Sequence, residues 1–215
     1  LSKGAILADE VGLGKTIEAL GVINMDSSLA RVLVVCPSVV RRNWLREAAR
    51  WLVVQRPMGI IDSDSPEIPV GPCLMVVGYE RARRPKCLTA LRAGGWDLLI
   101  VDEVHRCKDP KSLQSRAVLG SVRTREREAD SGLAGIDRRL LMLSGTPMLN
   151  RPIELWPMAR VLAPEVFTSF WGFARRYAAA TQNGYGWDLT GAAHLDELQS
   201  LLRSNGMIRR LKKDV

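Results

Sequence analysis

One stretch near the start of the chain limits the fold more than any other: Gly4-Ala5-Ile6-Leu7-Ala8-Asp9-Glu10-Val11-Gly12-Leu13-Gly14-Lys15-Thr16. It reads as a short apolar strand, a glycine-bearing turn, and Lys-Thr opening an amphipathic helix. That is the layout of a phosphate-binding loop. Glycines let backbone N–H groups curl around phosphate oxygens, and the helix N-terminus adds partial positive charge. Lys15 then reaches the β/γ-phosphates and the Thr16 hydroxyl ligates Mg²⁺. Asp9 stands where the general pattern G-x-x-x-x-G-K-[ST] has glycine. The plainer alternative is a strand–turn–helix whose glycines serve only backbone geometry. Strand, Gly-x-Gly-Lys-Thr and helix in this order favour nucleotide binding.

The rest of the chain predicts an α/β fold. Arg31–Pro37, Cys73–Tyr79, Asp97–Glu103 and Arg139–Pro147 each carry a continuous apolar run, as strands buried on both faces of a parallel sheet do. Helical stretches between them indicate βαβ units and a mostly parallel sheet flanked by helices. Trp44, Leu45, Ala48, Trp51 and Leu52 share one helical stripe, with Arg42, Arg46 and Arg50 on another side. That arginine row is a solvated face or a contact to the DNA backbone. Residues 53–72 read as surface loop, and Arg123–Asp137 as a mobile loop. Leu155, Trp156, Ala159 and Leu162 suggest a helix capped by Asn150, with Pro157 as an interior break. Beyond 162, Phe167, Phe170, Trp171, Phe173 and Tyr177 mark an aromatic helix core, and Leu195, Leu198, Leu201 and Leu202 a later helix. The expected division is therefore 1–162 for the α/β lobe and 163–215 for an all-helical appendage.

A length of 215 residues suits one large domain or a domain with an appendage. The 31 basic and 23 acidic residues leave a net charge of +8, which favours a polyanionic partner such as nucleic acid. Cys36, Cys73, Cys87 and Cys107 are scattered without a C-x-x-C pair, so a zinc site is disfavoured and reduced thiols are expected. No apolar run approaches the ~20 residues of a membrane span, and no signal-peptide pattern opens the sequence. Leu1 falls almost directly before a strand, so the chain is expected to be part of a longer protein.

Asp102-Glu103-Val104-His105 sits at the end of the apolar strand expected over Asp97–Glu103. In open α/β sheets, ligands bind at the carboxyl ends of strands. Phosphoryl transfer to water needs a carboxylate to hold Mg²⁺ and a second group to orient the water. Asp102 fits the first role and Glu103 the second. An Asp-Glu pair alone is more often a helix cap or a solvated turn; downstream of a phosphate loop it gains weight. His105 is expected to relay the nucleotide state rather than perform chemistry.

These segments together resemble the Swi/Snf-type branch of superfamily-two helicase-like ATPases. Leu7–Thr16 is similar to its motif I, a branch that carries Asp-Glu before the glycines. Asp102–Lys108 is similar to motif II, and Ser144-Gly145-Thr146-Pro147 with Asn150 to motif III. Pro37-Ser38 with Asn43-Trp44 and Glu47 resembles motif Ia, and Val77-Gly78-Tyr79 motif Ib. The tail Ile208-Arg209-Arg210-Leu211-Lys212 is similar to the Leu-Arg-Arg-x-Lys element that closes the helical protrusion of the first lobe. In the last third, Arg151-Pro152, Glu154-Leu155, Arg176-Tyr177, Gly186-Trp187-Asp188 and Glu197-Leu198 resemble the annealing-helicase, fork-remodelling subgroup.

The resemblance implies a first RecA-like lobe that uses ATP and Mg²⁺ to move along double-stranded or forked DNA, with DNA repair as the setting. It implies nucleotide binding by Asp9, Gly12, Leu13, Gly14, Lys15 and Thr16. Catalysis falls to Lys15, Asp102 and Glu103, and Mg²⁺ to Thr16 and Asp102. Coupling falls to His105, Ser144, Gly145 and Thr146, and DNA contact to Ser38, Arg42, Asn43 and Tyr79. Such contacts are mainly to phosphate, so binding should be sequence-independent and salt-sensitive. A second RecA-like lobe is expected beyond Val215, so the chain alone should bind nucleotide weakly and hydrolyse little. A non-motor DNA-binding module, or protein docking through the appendage, is the competing expectation. The expected location is cytoplasmic for a bacterial or phage source and nuclear for a eukaryotic one, with no membrane partner.

Overall fold

A computed structural model describes residues 4–120, 132–135, 139–145, 151–184 and 186–214. The elements run β1 (Gly4–Leu7), α1 (Lys15–Met25), β2 (Arg31–Cys36), α2 (Arg41–Trp51), β3 (Met58–Ile61), β4 (Cys73–Gly78), α3 (Tyr79–Ala82) and α4 (Pro85–Arg92). They continue as β5 (Leu98–Val101), α5 (Leu113–Leu119), β6 (Arg139–Leu143), α6 (Trp156–Leu162), α7 (Phe170–Tyr177), β7 (Thr181–Asn183), β8 (Gly186–Asp188), α8 (Leu195–Ser204) and β9 (Met207–Ile208).

Seven strands form one sheet in the order β3-β4-β2-β5-β6-β1-β9, and every pairing in it is parallel. Side chains alternate across it, which explains why the strands are apolar throughout rather than every second residue. Val32, Val34, Leu74, Val76, Leu98 and Ile100 face one layer, where Leu20 and Ile23 of α1 and Trp44 and Ala48 of α2 cover them. Leu33, Val35, Val77, Leu99, Val101 and Met142 face the other, under helices that include α4, α5 and α6. Because all strands run the same way, the ends of β1, β2, β4, β5 and β6 share one edge. That edge collects the motifs.

Three expectations are corrected. The segment 53–72 is not all loop: β3 pairs with β4 from Met58↔Leu74 to Ile61↔Val77 and forms one margin of the sheet. Pro157 is not a break, since it lies in the first turn of α6, where its missing N–H has no intrahelical partner to lose. The region beyond 162 is not all helix either. β7 and β8 form an antiparallel hairpin, and β9 returns to the main sheet beside β1, with Ile6↔Met207 and Leu7↔Ile208 opposed.

The aromatic core forecast there does exist. Trp156 meets Phe170 and Phe173 with centroids 5.8 Å and 5.4 Å apart, and Phe173 meets Tyr177 at 4.9 Å. Phe167, Phe173, Leu198 and Leu202 belong to the same buried cluster as Leu33 and Leu99, so the core continues across position 162. Of the expected mobile loop, residues 132–135 are described, and they are anchored: Leu133 is fully buried and its N–H donates to the Ala117 carbonyl at 2.9 Å. The rest of that loop, with Thr146, Pro147 and Asn150, lies outside the described residues. Among the described residues no helix is long and apolar enough to cross a membrane. The four cysteines are buried, and burial pushes the Cys36 and Cys107 thiols up to about 12, which leaves them unreactive.

Candidate nucleotide site

The loop between β1 and α1 has the backbone of a phosphate cradle. Gly12 and Gly14 sit at φ 93 and 84, a region that side-chain-bearing residues rarely enter. Gly14 caps α1 and offers no side chain to the helix N-terminus. The first-turn N–H groups, which no helix can satisfy internally, therefore stay available to an anion. Lys15 folds back over the loop: its ammonium donates to the carbonyls of Asp9 at 2.8 Å and Glu10 at 3.2 Å. The loop fits a phosphate chain, with Lys15 as its cation.

Asp102 follows β5 on the same edge. Its Oδ2 accepts from Trp44 Nε1 at 2.8 Å and its Oδ1 from the Glu103 N–H at 2.9 Å. Burial raises the Asp102 pKa, the Glu103 charge adds to this, and the Lys15 charge partly opposes it. β1 and β5 flank β6 in the sheet, so motifs I and II end on the same edge, one strand apart. A half-buried carboxylate that is costly to ionise is a natural partner for a divalent cation. Mg²⁺ typically uses one or two protein oxygens together with substrate phosphates.

Glu103 has φ 51 and ψ 50, left-handed backbone that costs a non-glycine residue about 1–3 kcal/mol. The turn aims its carboxylate at His105, whose Nδ1 lies 3.1 Å from Glu103 Oε2 and 3.4 Å from Ser144 Oγ. Glu103, His105 and Ser144 thus form a connected polar line from the end of β5 to the end of β6. Ser144 is fully buried. At Gly145 a Cβ would fall 2.5 Å from Val11 Cγ2 and 3.6 Å from Lys15 Nζ, so a side chain there would require Val11 to shift. Thr146 lies outside the described residues.

The residues assigned to DNA separate. Ser38 precedes α2 on the same edge, is exposed, and donates to Glu80 Oε2 at 2.8 Å. Arg42 is exposed on the first turn of α2, and Asn43 beside it accepts from Arg46. Tyr79 is the exception. Its side chain is fully buried, and its hydroxyl donates to the Asp102 carbonyl at 2.6 Å. It braces motif II instead of lining a surface, because an aromatic ring immediately after a buried strand stays in the core.

Sequence reasoning missed three partners of the site. Trp44 was legible as part of an apolar stripe and of motif Ia, but not as the residue that holds Asp102. Lys108 reaches Glu154 Oε1 at 3.2 Å and ties the turn after motif II to the segment before α6. Arg210 donates to both Asp9 Oδ atoms through its backbone and side chain.

A parallel sheet with a glycine-lined loop after one strand and an Asp-Glu pair after another defines a P-loop nucleotide-binding core. The sequence matches the SNF2-related domain over residues 1–215, and the chain belongs to that family. It is 32% identical over 216 residues to the SWI/SNF-related matrix-associated actin-dependent regulator of chromatin subfamily A-like protein 1 of Xenopus tropicalis, covering 98% of this chain and 21% of the relative. It is 34% identical over 220 residues to the DNA annealing helicase and endonuclease ZRANB3 of Mus musculus, covering 98% of this chain and 19% of that protein. The chain thus spans about a fifth of the length of these curated relatives. The Sulfolobus solfataricus SWI2/SNF2 ATPase core solved in complex with dsDNA shares the fold, with a TM-score of 0.71 at 24% identity, over 98% of this chain and 41% of that one.

Proposed function

We propose that the chain is the first RecA-like lobe of a DNA-dependent ATPase that moves along double-stranded or forked DNA, with a second lobe completing the site. One observation carries this reading: Lys15 of the phosphate loop, Asp102 and the Glu103–His105–Ser144 line lie at one edge of the sheet, on the ends of the adjacent strands β1, β6 and β5. The naming of relatives as annealing helicase and chromatin regulator supports the substrate class.

In this reading Lys15 leaves the Asp9 and Glu10 carbonyls to meet the β/γ-phosphates of ATP. Thr16 and Asp102 hold Mg²⁺, which neutralises phosphate charge when bound. Glu103 orients the attacking water and accepts its proton. His105 and Ser144, with Gly145 and Thr146, report the state of that carboxylate to the next strand. Ser38, Arg42 and Asn43 contribute to the DNA track through phosphate contacts. Residues 163–215 act as a protrusion, and the exposed pair Trp171–Trp187, with centroids 4.7 Å apart, is where a protein-docking role would begin.

The test is Glu103→Gln in the two-lobed protein. A positioned general base contributes about 10²–10⁴-fold, so DNA-stimulated hydrolysis should fall by at least about 10²-fold with nucleotide binding retained. Unchanged turnover would reject the motor reading and favour docking.

A further inference from the structure

Asp9 is fully buried, and it occupies a position where the general phosphate-loop pattern has glycine. A buried carboxylate without a partner is costly, and here the partner comes from far along the chain. The Arg210 N–H donates to Asp9 Oδ1 at 2.7 Å, and its Nε donates to Oδ2 at 2.9 Å. The same guanidinium also binds Glu18 in the first turns of α1. Arg210 therefore holds both arms of the phosphate loop, one at residue 9 and the other at residue 18.

The backbone reinforces this. Pairing of the tail does not stop where β1 ends: Ala8 N–H donates to the Ile208 carbonyl at 2.7 Å and Glu10 N–H to the Arg210 carbonyl at 3.1 Å. Lys212 N–H donates to Glu10 Oε2 at 2.7 Å, and a Cβ on Gly12 would lie 3.6 Å from Lys212 Nζ. The tail thus runs beside the loop from residue 8 to residue 12. The two carbonyls that hold the Lys15 ammonium belong to Asp9 and Glu10, the residues the tail clamps.

We propose that Arg210 is a positioning residue for the phosphate loop, and that the tail segment 207–212 tightens or loosens with the nucleotide state of Lys15. The inference rests on the nucleotide reading above and extends it. Any movement of the Asp9–Glu10 peptides as Lys15 transfers to phosphate is shared with residues bonded directly to them. An arginine fork that spans two carboxylates is suited to this, whereas a lysine supplies charge without the fork.

The experiment combines Mg·ATP titration with hydrogen exchange at the Arg210 and Lys212 amides. In the unsubstituted chain, Mg·ATP should change exchange at both amides. Arg210→Ala should weaken Mg·ATP binding by about tenfold, within the range of ordinary coupling between sites, and abolish that response. Arg210→Lys should recover part of the affinity. Arg209→Ala, at an exposed neighbour, should alter neither. Should Arg210→Ala fail to fold, Asp9→Asn removes the charge the guanidinium binds and should give the same loss of response. The inference is overturned if either variant binds Mg·ATP with unchanged affinity, or if the amides respond to nucleotide as before. If the unsubstituted chain binds no nucleotide, the functional reading itself fails.

Discussion

The two edges of the parallel sheet treat their cations in opposite ways. At the amino edge, where β2 begins, the Arg31 guanidinium donates to the carbonyls of Pro69 at 2.8 Å, Gly94 at 2.6 Å and Gly95 at 3.1 Å, and lies 5.4 Å from the Trp96 ring centroid. Its backbone N–H is taken by Asp97 Oδ2 at 2.7 Å. At the carboxyl edge, Lys15 rests on two loop carbonyls beside a half-buried carboxylate whose pKa is raised. Arg31 has a closed set of protein acceptors in a fixed fork. Lys15 has a borrowed set and a flexible stem. The first arrangement is complete without a ligand; the second is the one that the proposed function completes with phosphate and a divalent cation. Polar density alone does not mark a functional site. What marks it is polar groups held by contacts that a ligand can replace.

The sharpest way to break this comparison is to delete each cation. Lys15→Ala in the two-lobed protein should lower DNA-stimulated turnover by at least about 10²-fold. Its effect on folding should stay within about 0.5 kcal/mol, as at surface sites generally. Arg31→Ala should do the reverse: it leaves several carbonyls without a charged donor and should destabilise by about 2–4 kcal/mol in a denaturant titration. Nucleotide affinity of the folded Arg31 variant should be unchanged. Equal stability losses for the two would erase the distinction between the edges.

A smaller effect is expected with pH. Burial would raise the Asp9 pKa, but hydrogen bonds and charge from Arg210 outweigh it and lower the value. The Arg176 guanidinium takes Glu197 down to about 2. For a carboxylate whose folded pKa is depressed, the unfolded chain binds more protons between the two values. The stabilisation is thus complete above the ordinary carboxylate range of about 4 and lost as pH falls through the folded value. Unfolding midpoints should be level from neutral pH to about 5 in these groups' contribution and decline below about 4. Arg210→Ala should shallow that acid limb. An identical limb in the variant would mean that Asp9 is not tied as described.

The sequence made the centre of the sheet and its loops readable because both obey strict rules. Strands buried on two faces must be apolar throughout, and a phosphate loop must place its glycines and lysine at fixed spacing. The margins lacked such rules. β3 is a four-residue run containing Gly59, and β9 is two residues inside a basic tail. The hairpin of β7 and β8 is polar and exposed, and its only local sign was Asn183-Gly184, a turn-forming pair between short strands. Within the site, residue types were legible but partners were not. Trp44 holds Asp102 across 58 positions and Arg210 holds Asp9 across 201. Contacts of that length arise from topology, since only the parallel order brings those strand ends together. Tyr79 shows the same limit: its motif was readable, but its inward direction was set by packing.

The carboxyl edge is proposed as a nucleotide site whose cation is Lys15. Calorimetric titration of ATP into the 215-residue chain, with and without Mg²⁺, tests it most directly. Weak, saturable, Mg²⁺-strengthened binding is expected, and it should disappear in Lys15→Ala while the variant stays folded. Absence of binding at millimolar ATP, or equal binding by the Lys15→Ala chain, would contradict it.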